Sequence, residues 1–212
     1  MNEKTLIGYH GTLKEKAKDI LKNGFKLSTS KGNKLEWLGD GVYFWEDDYY
    51  AIQWNIINIE KEHLAKTIEE NFKNYDIIRS KLVVNKSKLF ELSSPEGSII
   101  YNEFKKKLVN KFLEAGLKDE TEELKLKSDK FWINLLEDNG FFDEFDIMTA
   151  IYKNKKSTEE FKDDIVLNTQ KQICVKNKKC IIKSEIYDDI ERIKTLFEMI
   201  IERRGIVKKW IE

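Results

Sequence analysis

The stretch Leu38-Gly39-Asp40-Gly41-Val42-Tyr43-Phe44-Trp45 constrains the fold more than any other. Glycine at alternate positions lets backbone come close to a ligand or to another segment. Val42 to Trp45 is β-branched and aromatic throughout, the best strand signal in the N-terminal half. A tight Gly-x-Gly turn into a strand of large rings is one way to build an aromatic-walled slot. By itself the octapeptide reads as a turn before a core strand. Its company upstream and downstream gives it a further meaning.

Upstream, Thr5-Leu6-Ile7-Gly8-Tyr9 reads as a short strand ending at His10-Gly11-Thr12. A helix follows from about Leu13 to Asn23, with Ala17, Ile20 and Leu21 on one face and Gly24 at its C′ position. Phe25 to Leu27 resumes extended structure, and Ser28 to Lys34 is a polar loop. Downstream of the aromatic strand, Asp47 or Asp48 caps a helix that runs to about Lys73, with Ala51, Ile52, Trp54 and Ile56 on its apolar face. Three short strands, separated by polar turns, are expected at Ile77-Ile78, Leu82-Val84 and Leu89-Leu92. Ser93 to Gly97 is a loop with the only proline, Pro95.

Residues 98–140 are helical, with one stripe at Phe104, Leu108, Phe112 and Leu113 and another at Phe131, Leu135 and Leu136. They read as a helical insertion or subdomain. Phe145 to Tyr152 is a strand, Lys153 to Asp163 a polar loop, and Ile165 to Leu167 a short strand. Gln172 to Lys176 is a strand, Asn177-Lys178 a turn, and Cys180 to Ile182 its hairpin partner. A helix from about Asp188 to Arg203 follows, with Ile190, Ile193, Leu196, Phe197, Ile200 and Ile201 on one face. Strands, then helices, then strands again predict an α+β fold.

The 212 residues suit one domain carrying an insertion or a large single domain, and 41% hydrophobic residues can fill a sizeable core. Lys+Arg and Asp+Glu balance at 38 each, so no global charge argues for nucleic acid or an anionic membrane. Lys105-Lys106-Lys107 reads as a solvated helix face. No apolar leader and no membrane-length apolar run is present, so a soluble cytoplasmic protein with no membrane partner is expected. Cys174 and Cys180 lack zinc spacing and sit in apolar runs; buried thiols in a reducing compartment, and no metal, are expected.

Chemistry-bearing residues are few. Of the two histidines, His63 lies in a charged helix, whereas His10 ends an apolar strand and is followed by a glycine and a hydroxyl. No serine sits in a nucleophile elbow, and no phosphate-binding glycine loop of the P-loop or Rossmann kind occurs.

His10-Gly11-Thr12, a helix, Gly24-Phe25, a loop and then Leu38 to Phe44 resemble the ADP-ribosyltransferase pattern of the poly(ADP-ribose) polymerase branch. That branch pairs a His-Gly-Ser/Thr motif with Gly-x-Gly-Ile/Val-Tyr-Phe and a second aromatic eleven residues after the tyrosine. Tyr43 and Trp54 have this separation, and Ala51 keeps the alanine three residues before the second aromatic. Gln172 to Ile181 has the shape of the third motif, with Gln172 where the family has a catalytic glutamate. The match covers roughly residues 5–56, 77–92 and 145–183.

The resemblance implies a split β-sandwich of two small packed sheets, with flanking helices, forming one catalytic domain. It implies NAD as co-substrate and a macromolecular acceptor, protein or nucleic acid. His10 would bond the adenosine ribose, Gly11 would hold the nicotinamide carboxamide through its backbone, and Tyr43 and Trp54 would sandwich the nicotinamide ring. Gln172 would reach the nicotinamide ribose. Gly41 and Thr12 would line the same site, as would Tyr50, which stands where the family has a nicotinamide-contacting serine. Gln170, two residues before Gln172, is similar to the substrate-choosing position of toxin-type members, though a plain polar strand-edge residue is the simpler reading. A glutamine in place of glutamate goes, in this branch, with single-unit transfer or with inactivity.

By family analogy the setting would be a bacterial toxin or phage-defence effector, with a cognate antitoxin or inhibitor. Two other readings follow from the same residues: a catalytically inactive NAD- or ADP-ribose-binding module, and an RNA 2′-phosphotransferase. The latter shares the fold and a His-Gly-x start but relies on added histidines and arginines, and this chain has two histidines.

Overall fold

Period-two and period-3.6 patterns sort the chain into seven strands and six α-helices among the described residues of the computed structural model, which are 2–29, 36–61, 67–117, 122, 124, 127–153 and 169–204. The strands are β1 (Glu3–Leu13), β2 (Val42–Trp45), β3 (Tyr75–Asn85), β4 (Leu89–Glu91), β5 (Ile147–Lys153), β6 (Thr169–Val175) and β7 (Ile181–Ile186). The helices are α1 (Lys14–Asn23), α2 (Asp48–Lys61), α3 (Ile68–Phe72), α4 (Pro95–Glu114), α5 (Asp129–Asp138) and α6 (Ile190–Arg203). The fold is α+β. Its strands hydrogen-bond in one seven-stranded order, β4-β5-β6-β2-β1-β3-β7, where two small sheets were expected. The sheet is mixed: β4 and β5 are parallel, while β5 with β6, β1 with β2, and β3 with β7 are antiparallel.

Packing divides the chain into two compact units. The first comprises Met1–Lys4, Lys26–Tyr43 and Val83–Cys180; the second comprises Thr5–Phe25, Phe44–Leu82 and Ile181–Glu212. The core of the first unit joins Leu38, Phe90, Met148, Ala150 and Cys174 to Tyr101 and Leu108 of α4 and to Trp132, Ile133 and Leu136 of α5. The expected helical insertion is therefore part of this unit's core. The core of the second unit is Ala51, Ile52 and Ile56 of α2, Ile77 of β3, and Phe197, Ile200 and Ile201 of α6.

Several boundaries differ from the sequence-based expectation, each for a physical reason. The first strand runs through His10-Gly11-Thr12, and α1 ends as expected at Gly24, whose φ of 79° suits glycine and whose N–H bonds Ile20 O at 2.7 Å. Phe25 to Leu27 forms no strand. Asp47 caps α2 by accepting from the Tyr49 N–H at 2.8 Å. The helix expected to reach Lys73 is described to Lys61, and a new one begins after Thr67, whose side chain and that of Glu70 form a capping box. Arg79 and Lys81, read as a turn, are the solvent-facing positions of one continuous β3, alternating with buried Ile78, Ser80 and Leu82. Pro95 opens α4 at a position where a missing N–H costs nothing, and Ser94 caps the helix by accepting from Gly97 N–H.

The hairpin expected between β6 and β7 does not form: β6 pairs with β5, and β7 pairs with β3. Asn177-Lys178 lacks the glycine that two-residue hairpin turns favour. Instead Lys176 and Asn177 N–H groups both bond Asp146 O, and Lys178–Cys180 makes a 3₁₀ turn. Both cysteines are free and buried. The expected loop at Lys153 to Asp163, beyond its first residue, the strand at Ile165 to Leu167, and His63 lie outside the described residues.

Candidate functional site

The sequence-derived site residues fall into two groups. Gly41, Tyr43 and Gln172 belong to the first unit; His10, Gly11, Thr12, Tyr50 and Trp54 belong to the second.

In the first unit the Leu38–Gly41 turn lies against one face of β6. Gly39 has φ 75°, which an L side chain rarely adopts, and a Cβ there would lie 1.8 Å from Glu137 Oε2. A Cβ at Gly41 would lie 2.3 Å from Cys174 Sγ. Both glycines are thus required by close packing inside the unit. The Tyr43 hydroxyl accepts from Leu38 N–H at 2.7 Å and donates to Gly39 O at 2.6 Å, so its ring is fixed by its own turn. Burial first, and then the Cys174 thiol, push the Tyr43 phenol far above its ordinary value, against the opposing bond from Leu38 N–H. Gln172 pairs with Ala150 across β5 and β6 and is 9% exposed. Its Oε1 is buried with no hydrogen-bond partner among the described residues.

Sequence reasoning missed two residues of this group. Lys176 continues the alternation Gln172, Cys174, Lys176 along one face of the strand. Its ammonium donates to Leu38 O at 3.1 Å, to Asp40 O at 3.2 Å and to Glu137 Oε1. Glu137 Oε2 accepts from Asp40 N–H at 2.7 Å. The period-two pattern could have flagged Lys176; Glu137, on α5, has no local signal.

In the second unit, half-buried His10 lies edge-on to Phe25 and Phe44, with ring centroids 5.3 Å and 6.0 Å away. A Cβ at Gly11 would lie 2.4 Å from Ala51 O and 2.6 Å from Asn55 Oδ1. Close packing of α2 accounts for the glycine there without a ligand. Asn55 is fully buried; its Nδ2 reaches Asp76 O at 3.3 Å, while Oδ1 has no partner among the described residues. Half-buried Thr12 follows on the same strand. Tyr50 packs against Trp45 and Tyr49. Trp54 is 41% exposed, with Lys61 Nζ 5.5 Å from its ring centre. A groove of about 1140 Å³ between α3 and α6, walled by Phe72, Ile193, Phe197 and Ile201, contains none of the sequence-derived site residues.

Among the described residues no group of three or more His, Cys, Asp or Glu side chains could hold a metal ion, and no helix is long and apolar enough to cross a membrane. Fold and site define a mixed α+β protein in which the first unit seats the glycine-containing turn that holds Tyr43 on β6, and the second unit carries the strand with His10. No known family profile and no solved structure matches the chain. The chain is 27% identical over 205 residues to "Uncharacterized protein MJ0359" of Methanocaldococcus jannaschii, covering 85% of this chain and 86% of that protein.

Proposed function

We propose that the protein is an NAD-dependent mono-ADP-ribosyltransferase acting on a macromolecular acceptor. The observation that carries this reading is the carboxamide of Gln172: nine-tenths buried, with Oε1 lacking a partner, at the position the family pattern gives to the ribose-gripping residue. A buried unpartnered acceptor is costly, by about 1–3 kcal/mol, unless a ligand supplies the donor. The nicotinamide ribose carries hydroxyls that would do so.

The roles follow the resemblance, unit by unit. In the first, Tyr43 stacks on nicotinamide, a contact worth about 0.5–1.5 kcal/mol beyond burial, beside Gly41 and Gln172. In the second, His10 bonds the adenosine ribose, Gly11 offers its backbone to the carboxamide, and Thr12, Tyr50 and Trp54 are the further contacts. The glycosidic C–N bond breaks and its electron pair leaves with nicotinamide. A lone pair of the acceptor then bonds C1′, and the acceptor's proton passes to water, because an amide cannot take it. Positioning and fixed dipoles supply the rate. The same reading takes the seven-stranded order as a split sandwich within one catalytic domain, and sets the protein in the cytoplasm as a toxin or defence effector with a cognate inhibitor.

The test is incubation with labelled NAD and cell extract beside an active control enzyme. Label transfer and nicotinamide release are expected; both are lost in His10→Ala, and Tyr43→Ala raises the KM for NAD. Absence of both from the wild type sinks the reading. The glutamine at 172 favours one alternative, an inactive NAD-binding module; calorimetric NAD binding without turnover would select it.

A further inference from the structure

We propose that Lys176 and Glu137 are positioning residues for Tyr43, a role that rests on the NAD reading above. Three acceptors meet the three N–H donors of the Lys176 ammonium: Leu38 O at 3.1 Å, Asp40 O at 3.2 Å and Glu137 Oε1. Glu137 completes the clamp by taking the Asp40 N–H at 2.7 Å. The pair is largely shielded, with side chains 13% and 20% exposed. A shielded charge pair fully engaged with backbone fixes a segment in one geometry, because moving either charge would leave the other unpaired.

The clamped segment is the one that orients Tyr43. The tyrosine hydroxyl bonds Leu38 N–H and Gly39 O, and the residues on either side of those groups are held by the clamp. Cys174 Sγ approaches Asp40 O at 3.6 Å from the same face of β6. The turn is therefore seated on the strand that also carries Gln172. Lys176 and Glu137 touch no proposed reacting atom; they act through the turn. A ring that stacks on nicotinamide contributes alike to ground and transition states, so loosening it raises KM and leaves kcat nearly alone.

The experiment uses Lys176→Met, Glu137→Gln and the double variant of the full chain. Each single variant leaves a shielded charge unpaired and melts lower than wild type. The double variant removes both charges, recovers much of the melting temperature, and separates positioning from folding. For the double variant, residue-resolved amide exchange is expected to show lost protection at Asp40, with protection retained along β5 and β6. Its KM for NAD is expected to rise about tenfold with kcat within about threefold. Unchanged Asp40 protection, or an unchanged KM in a double variant whose turn has loosened, overturns the proposal. A wild-type protein that neither binds nor cleaves NAD defeats the functional reading and this role with it, while the exchange result still decides whether the clamp holds the turn.

Discussion

Asp48 shows how much one side chain can be asked to hold. It opens α2, is 3% exposed, and accepts from Arg192 Nε and Nη2 at 2.5 Å and 2.9 Å and from the Tyr187 hydroxyl at 2.8 Å. Burial alone pushes its titration up; the bonds from Arg192 and Tyr187 outweigh burial and hold the carboxyl below the ordinary carboxylate range. A folded value below the unfolded one means the contribution is complete above about pH 4 and is lost as pH falls through the folded value. Asp48→Asn is therefore expected to cost about 1.5–3 kcal/mol at pH 7. That corresponds to a melting point lower by about 3–12 °C. Thermal melts from pH 7 to pH 2 should show the gap between wild type and variant narrowing only below about pH 4; a gap constant across that range would refute the assignment. Gln172 is the second residue-scale case. On the proposed NAD reading, Gln172→Glu introduces a carboxylate able to offset charge developing at the ribose, and nicotinamide release is expected to rise at least tenfold, the order of one well-placed electrostatic group. No change in release would place residue 172 away from the reacting ribose.

At the scale of elements, Gly11 separates two explanations of one motif. The resemblance asks for glycine so that a ligand can come close, whereas the structure puts Ala51 O 2.4 Å from where a Cβ would be. Gly11→Ala is expected to push α2 outward and to destabilise the ligand-free protein by about 1–3 kcal/mol, the usual cost of overpacking, read by denaturant unfolding without NAD. A variant as stable as wild type would return the glycine to a purely ligand-facing role. Legibility followed the range of the signal. β2, α1 and α6 were readable because strand composition, Gly24, and a six-residue apolar stripe are local. β3 was read as fragments because Arg79 and Lys81 look like a turn until their neighbours are known to be buried. The β6–β7 hairpin was misread because Asp146, far away in sequence, takes the N–H groups of Lys176 and Asn177. In the site, strand β6 and Tyr43 were visible in sequence; the Glu137 carboxylate was not, since only the folded unit brings α5 over Gly39.

For the whole molecule the governing quantity is the equality of 38 basic and 38 acidic residues. With the sequence pI at about 6.8, the net charge passes through zero close to neutrality. A molecule without net charge has no long-range monopole field to steer a charged partner, so any choice of partner depends on contacts made at short range. It also lacks the mutual repulsion that keeps copies apart, and turbidity at fixed concentration is expected to peak near pH 6.8 and fall on both sides. Two forces could drive that association, and salt distinguishes them. Exposed charges of both signs attract between copies over a Debye length of about 10 Å at 0.1 M salt, shrinking to about 3 Å at 1 M. Exposed apolar side chains, such as Ile190 at 74% and Met199 at 53%, attract irrespective of screening. A charged fraction of 36% with balanced signs makes the first force the larger. Raising salt from 0.05 to about 0.5 M at pH 6.8 should therefore lower light scattering; scattering that rises with salt would show that the apolar side chains dominate.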